Sequence, residues 1–174
     1  MKEKKTLKKN VVVSVVMGSD SDLSVMAEAT KILQEFAIPH ELFLTSAHRA
    51  PERTTRFAKE AAQRGVKIII VGAGAAAHLA GVIASQTQLP IIGVPIDATA
   101  VHGLDALLST VQMPGGIPVA TMAIGKAGAK NAALYAVRIL ALEDKKIALK
   151  LSAYIQKMAL DVEKKQENIS CRKS

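Results

Sequence analysis

The chain has 174 residues, of which 49% are hydrophobic and 22% charged, a composition typical of one globular domain and not of a disordered chain. The formal net charge is +8, but residues 1–10 hold five lysines and one glutamate and Arg172 and Lys173 lie near the other end, so a nucleic-acid-binding module is disfavoured. No apolar run approaches the ~18 residues that a membrane span requires, and the single Cys171 fits a reducing cytoplasm.

Strand-like and helix-like segments alternate along the chain. Apolar, β-branched runs predict buried strands at residues 11–18, 40–46, 66–74, 89–95 and 116–124. Helical periodicity fills the intervals at residues 23–37, 51–64, 76–87 and 103–113, and continues over 128–166 with a joint near Glu143 and Asp144. This alternation predicts βαβ units, and hence a parallel sheet with helices on both faces.

The domain organisation is expected to be simple. No linker, low-complexity run or internal repeat interrupts the pattern, which predicts one α/β domain over residues 11–167, with a flexible basic tail at 1–10 and a flexible tail at 168–174. The last helical stretch carries many apolar positions, among them Ile147, Leu151, Ile155 and Met158. They indicate either an oligomer or a helix that packs on its own sheet, and the pattern leaves both open.

Three polar loops follow predicted strands directly. They are GSDSD at 18–22, SAHR at 46–49 and GAGAAAH at 72–78. In an open parallel sheet, ligands bind beyond the carboxyl ends of the strands. The three loops are therefore expected to share one edge of the sheet and to form the functional site.

Two of these loops have the chemistry of an anion site. In GSDSD the free amides of a helix start attract anions, whereas Ser19 and Asp22 are equally good as ordinary helix caps. In SAHR, Arg49 suits a phosphate or carboxylate, Ser46 adds a donor, and His48 titrates near neutrality. A purely structural role for this histidine stays open.

The third loop supplies small residues, which let backbone approach a neighbour or ligand closely. Its His78 is a second candidate site residue or a helix cap. The same loop also matches the G-x-G-x-x-A spacing of a dinucleotide-binding fingerprint, with Gly72, Gly74 and Ala77 in the motif and Asp97 after the next strand. A dinucleotide-dependent oxidoreductase is therefore a competing hypothesis. It would leave GSDSD and SAHR unexplained.

The sequence has no P-loop, no GxSxG and no HExxH motif, and its four histidines suggest no metal set.

Taken together, these motifs resemble the PurE family of purine biosynthesis. The resemblance rests on five stretches and covers about residues 11–164: MGSDSD at 17–22, SAHRAP at 46–51, GAGAAAHLAG at 72–81, LLSTVQMPGGIPVAT at 107–121 and GKAGAKNAALYAVRIL at 125–140. Ala80 departs from the family pattern, which usually has proline there. The GAGxAAHL form resembles the mutase class of the family.

The resemblance implies a fold and an activity. The fold would be a flavodoxin-like, three-layer α/β/α sandwich with a parallel sheet and a long C-terminal helix. The activity would be that of an N5-carboxyaminoimidazole ribonucleotide mutase, an enzyme that uses no ATP, metal or organic cofactor and assembles as a homo-octamer. A carboxylase that takes free carbon dioxide and aminoimidazole ribonucleotide is the alternative within the family.

The resemblance also implies roles for individual residues. His48 would be the catalytic proton shuttle, and no residue would bind metal. Ser19, Ser46 and Arg49 would bind the substrate phosphate, and Asp22 the ribose hydroxyls. The remaining substrate-binding positions would be Ala47, Gly72, Gly74, Ala75, His78 and Leu79.

Overall fold

The computed structural model describes residues 11–171. The strands are β1 (Val13–Met17), β2 (His40–Leu44), β3 (Ile68–Gly74), β4 (Ile91–Ile96) and β5 (Ala120–Thr121). The helices are α1 (Leu23–Glu35), α2 (Pro51–Ala61), α3 (Leu79–Ala84), α4 (Leu104–Val111), α5 (Lys126–Ala141) and α6 (Lys145–Cys171). Short 3₁₀ turns at Asp20–Asp22 and Ala62–Arg64 precede α1 and follow α2.

The five strands form one parallel sheet in the order β2-β1-β3-β4-β5. This is the flavodoxin-like strand order: β2 is added on one side of β1, and β3, β4 and β5 follow on the other side. The order of strand addition therefore reverses between β1 and β3. Met17, the last residue of β1, lies opposite Leu44 of β2 and Gly72 of β3. Helices cover both faces of the sheet, so the predicted fold class is confirmed.

Burial explains why the central strands could be recognised. Every residue of β1 and β4 is buried, as is β3 up to Ala73, because both faces of these strands are covered. The edge strand β2 is only partly buried, and Leu42 and Leu44 are exposed on it. The core is mainly aliphatic, in line with the low aromatic content of 3%, and it includes the buried Phe36 and Phe57.

Two elements are shorter than predicted. Strand β5 has two residues instead of the nine expected at 116–124, because Pro118 lacks an amide for the ladder and Gly116 is in a left-handed turn at φ 96°. Helix α3 starts at Leu79 and not at Ala76, because Ala75 adopts φ 53° and the amide of His78 bonds the Ala76 carbonyl.

The chain forms two compact units, one up to Ala136 and one from Val137. The predicted joint near Asp144 is confirmed: α5 ends at Ala141, and Asp144 Oδ1 accepts the Lys146 amide at 2.8 Å at the start of α6. The prediction of a single domain over 11–167 stays a prediction. Helix α6 continues through residues 168–171, while 1–10 and 172–174 lie outside the described residues. No helix within 11–171 is long and apolar enough to cross a membrane.

Candidate active site

The three polar loops meet where β1, β2 and β3 end. The amide of Gly18 bonds the carbonyl of Gly72 at 3.2 Å, which ties the loop after β1 to the end of β3. The amide of Thr45 bonds the Met17 carbonyl at 3.0 Å on the other side. The loops therefore lie side by side at the point where the strand order reverses, which is the usual ligand crevice of this fold.

The GSDSD loop is a capped helix start. The Ser19 hydroxyl accepts the Ser21 amide at 3.4 Å, and the Ser19 amide donates to Asp22 Oδ2 at 3.0 Å, which together form a capping box. Asp22 is 4% exposed, and burial raises the pKa of its carboxyl while the Ser19 and Gly18 amides oppose the shift. Ser19 and Asp22 therefore act as helix caps in this structure, which is one of the two roles predicted for them.

Asp20 has a contact that sequence reasoning missed. Its Oδ1 accepts the Ser19 hydroxyl and the Ser21 amide, both at 3.1 Å. These are two of the donors that an anion at this loop would use. An acidic side chain next to a capping serine is the only sequence signal for such a contact.

The SAHR turn places a cation against the first loop. The Ala50 amide bonds the Ser46 carbonyl at 2.9 Å, and the Arg49 amide bonds the Ser46 hydroxyl at 3.2 Å. The Arg49 guanidinium then reaches 31 residues back in sequence and donates to the Gly18 carbonyl at 3.4 Å. Ala47 between them is partly buried against the core. Arg49 is exposed, so its positive charge faces solvent beside the amides of the GSDSD helix start.

His48 and His78 form a hydrogen-bonded pair across two loops. His48 Nε2 lies 3.0 Å from His78 Nδ1, and the two rings meet edge to face with centroids 5.1 Å apart. One nitrogen must carry the hydrogen and the other must offer its lone pair. The two rings therefore cannot both be imidazolium cations while this hydrogen bond persists. One proton is shared between them, and the pair can pass it from one ring to the other.

The small residues of the third loop are required by protein packing. A Cβ on Gly72 would overlap the Met26 thioether, and one on Gly74 would overlap Ala98. Ala75 turns the chain out of β3 with a left-handed φ of 53°, and Leu79 is buried at the start of α3. The close approach predicted for this loop is made by side chains of the protein itself in this structure.

The same geometry does not suit the dinucleotide hypothesis. A dinucleotide fingerprint needs its first glycine in the tight turn between strand and helix. Here Gly72 and Gly74 both belong to β3, and α3 is only six residues long.

Among residues 11–171, no three histidine, cysteine, aspartate or glutamate side chains are grouped as metal ligands.

Sequence reasoning also missed Met26, Thr45 and Thr54. Thr45 and Thr54 are buried, and their hydroxyl oxygens lie 2.8 Å apart next to the SAHR turn. A signal existed for Thr54, because it falls on the same helical face as Phe57, Ala58 and Ala61. No sequence signal indicates that Met26 fills the space left by Gly72, because the two residues are far apart in the chain.

Fold and site together define an α/β protein whose candidate site lies at the switch point of a flavodoxin-like parallel sheet. The family model described as AIR carboxylase matches residues 12–161, and the chain belongs to that family. The resemblance drawn from the motifs is therefore confirmed.

Individual relatives agree with the family assignment. The chain is 56% identical to the N5-carboxyaminoimidazole ribonucleotide mutase of Pyrococcus horikoshii, over 90% of this chain and 88% of that protein. It is 49% identical to the phosphoribosylaminoimidazole carboxylase of Candida albicans, over 94% of this chain but 28% of that longer protein. The crystal structure of Treponema denticola PurE superposes with a TM-score of 0.81 at 30% identity, covering 90% of this chain and 97% of that one.

Proposed function

We propose that this chain is an N5-carboxyaminoimidazole ribonucleotide mutase of purine biosynthesis. The enzyme moves the carboxyl group of its substrate from the exocyclic nitrogen to ring carbon C4 and so makes 4-carboxyaminoimidazole ribonucleotide. The 56% identity to a protein of that name, over nearly the whole of both chains, supports this choice. The carboxylase that uses free carbon dioxide is the alternative, and the relative of that name is a much longer protein.

The reaction needs one proton carrier. The bond from nitrogen to the carboxyl carbon breaks and releases CO2, and His48 gives a proton to that nitrogen. C4 then attacks the same CO2 to form the new carbon–carbon bond, and His48 takes the proton that C4 loses. The proton returns to its origin, so the account needs neither ATP nor metal nor organic cofactor.

One observation carries this mechanism: the 3.0 Å contact between His48 Nε2 and His78 Nδ1 in the crevice. A shuttle must hold a proton at one step and lack it at another. An imidazole whose ring nitrogen already shares a hydrogen bond with a second imidazole can meet both conditions. His48 is therefore the shuttle, and His78 is the group that fixes its ring and tautomer.

The other polar groups bind the substrate. Arg49, Ser46 and Ser19 anchor the phosphate, supported by the position of the guanidinium against the Gly18 carbonyl beside a helix start. Asp22 binds the ribose hydroxyls through Oδ1, because Oδ2 already accepts the Ser19 amide.

The flat ring and its carboxylate lie against the small-residue side of the crevice. We assign to that side the residues Ala47, Gly72, Gly74, Ala75, His78 and Leu79. These residues come from two different loops, so the ring would be held between the SAHR turn and the end of β3.

The enzyme works as a cytoplasmic homo-octamer in this proposal. An apolar stripe on and just before α4, made of Val101, Leu104, Leu108 and Val111, is exposed, and so are Leu149, Leu160 and Val162 of α6. Such stripes mark surfaces that a partner covers. His48, Arg49 and His78 are exposed in the single chain, so bound substrate and neighbouring copies supply the enclosure that keeps CO2 from escaping.

A two-substrate assay of the purified protein tests the function. One sample receives N5-carboxyaminoimidazole ribonucleotide, and the other receives aminoimidazole ribonucleotide with bicarbonate. Formation of the 4-carboxy product from the first substrate alone, at modest bicarbonate, is the expected result. Product mainly from the second sample would make the protein a carboxylase, and no product from either would refute both activities.

A further inference from the structure

The turn that carries His48 and Arg49 lies between an edge strand and a helix start that no side chain caps. It follows β2, which pairs only with β1 in the described sheet. It leads into α2, whose N-cap residue Ala50 makes no side-chain cap hydrogen bond. An edge strand on one side and an uncapped helix on the other would let such a turn shift.

A buried pair of hydroxyls spans the two ends of this turn. Thr45 Oγ1 lies 2.8 Å from Thr54 Oγ1, and Thr54 Oγ1 donates to the Ala50 carbonyl at 3.1 Å. Thr45 is 3% exposed and Thr54 is fully buried. The single hydroxyl hydrogen of Thr54 goes to Ala50, so Thr45 must be the donor to Thr54. The result is a directed chain from Thr45 to Thr54 to Ala50.

We propose that Thr45 and Thr54 are positioning residues for the reaction, and that their hydroxyl chain sets where the His48 imidazole and the Arg49 guanidinium lie. Thr45 is the residue before the SAHR turn, and Ala50 is the residue after it. The two hydrogen bonds therefore connect the two ends of the turn. The inference rests on the proposed function, because it assigns the pair's effect to the proton shuttle and to the phosphate anchor.

The direction of the chain predicts an asymmetry between the two threonines. Thr54→Val leaves the Thr45 hydroxyl as a buried donor without an acceptor, while the Ala50 carbonyl keeps the hydrogen bond from the backbone amide of residue 54 at 3.1 Å. Thr45→Val leaves the Thr54 donor satisfied and removes only the hydrogen bond that it accepts. Replacing both at once removes the buried hydroxyls together, which is the mildest way to lose such a pair.

The test is a double-mutant cycle on turnover, with kcat and KM measured for the 4-carboxy product. Thr54→Val is expected to lower kcat about tenfold and to raise KM, because small misplacements of a catalytic group have effects of this size. Thr45→Val is expected to have the smaller effect. The double variant should lose about as much kcat as Thr54→Val, because both lack the same hydroxyl chain, and Thr54→Ser should keep the wild-type kcat, since serine keeps the hydroxyl.

Thr110→Val is the matched control. Thr110 is also buried and donates to a helix carbonyl, that of Ala106 at 2.7 Å, but it lies in α4 away from the turn. Its kcat should stay at the wild-type value. An equal loss in Thr110→Val, or losses that simply add in the double variant, would overturn the positioning role. So would wild-type kcat and KM in Thr54→Val while His48→Asn is inactive. Full activity of His48→Asn would instead refute the proposed shuttle.

Discussion

At the scale of single residues, the SAHR turn directs two neighbouring side chains to different loops. Arg49 reaches toward the loop after β1, whereas His48 reaches toward His78 after β3. Neighbouring positions in a turn can diverge in this way because the backbone rotates sharply between them. The turn thereby directs a cation and an imidazole to two different loops, which suits the proposed roles of phosphate anchor and proton carrier.

Removing the shuttle should abolish turnover and leave binding intact. For His48→Asn we expect kcat to fall about 10²–10⁴-fold, the range of general acid–base catalysis, because asparagine cannot take and return a proton. The dissociation constant of the ribonucleotide, measured by calorimetry, should change little. His102→Asn is the control, since His102 is an exposed histidine in the loop after β4. Substantial activity of His48→Asn would remove His48 from the mechanism.

The carboxylate of Asp20 should weaken substrate binding. It accepts hydrogen bonds from Ser19 and Ser21 and would stand close to a bound phosphate. Asp20→Asn is expected to lower KM about fivefold, since like charges a few ångströms apart in water repel by roughly 1 kcal/mol. The gain should shrink as salt is added. Glu35→Gln, which removes a charge from the far end of α1, should leave KM unchanged, and a higher KM in Asp20→Asn would contradict the phosphate position.

At the scale of elements, much of the fold could be predicted because parallel strands buried on both faces are continuous apolar runs. The shared edge of the loops followed from topology alone. The short β5 and α3 did not, because they depend on the left-handed turns at Gly116 and Ala75. The Thr45–Thr54 bond and the contact of Met26 with Gly72 depend on distances that only the packed structure fixes.

The packing of α1 on β3 predicts a specific cost for a methyl group at Gly72. Gly72→Ala should destabilise the protein by about 1–3 kcal/mol, the usual cost of overpacking, because the new Cβ would overlap the fully buried Met26. Denaturant unfolding measures it. Gly115→Ala is the matched control, since nothing lies within 4 Å of a Cβ there. Equal stability of the two variants would show that the Met26 side chain can move aside at no cost in free energy.

At the scale of the whole molecule, the proposal links assembly to chemistry. The proposed site residues His48, Arg49 and His78 are exposed in one chain, and the apolar stripe on α4 is uncovered. If neighbouring copies close the crevice, dissociation of the oligomer should open a route by which CO2 is lost. Assembly and carboxyl retention are then expected to fail together.

Charging the α4 stripe tests that link. Leu104→Glu with Leu108→Glu should reduce the molar mass measured by light scattering, because each leucine is about half exposed in the chain and would be buried in an assembly. The variant should also make less product per substrate consumed. Lys59→Glu, an exposed change on α2, should alter neither quantity. An unchanged mass in the double variant would place the interface elsewhere.

The fate of the carboxyl carbon tests the central claim most directly. N5-carboxyaminoimidazole ribonucleotide labelled with ¹³C in its carboxylate is converted by the enzyme in buffer that contains unlabelled bicarbonate, and the 4-carboxy product is analysed by mass spectrometry. A mutase with an enclosed site retains the label in the product. Product that carries the carbon of the buffer would show that CO2 exchanges with solvent, which contradicts direct transfer of the carboxyl group within an enclosed site.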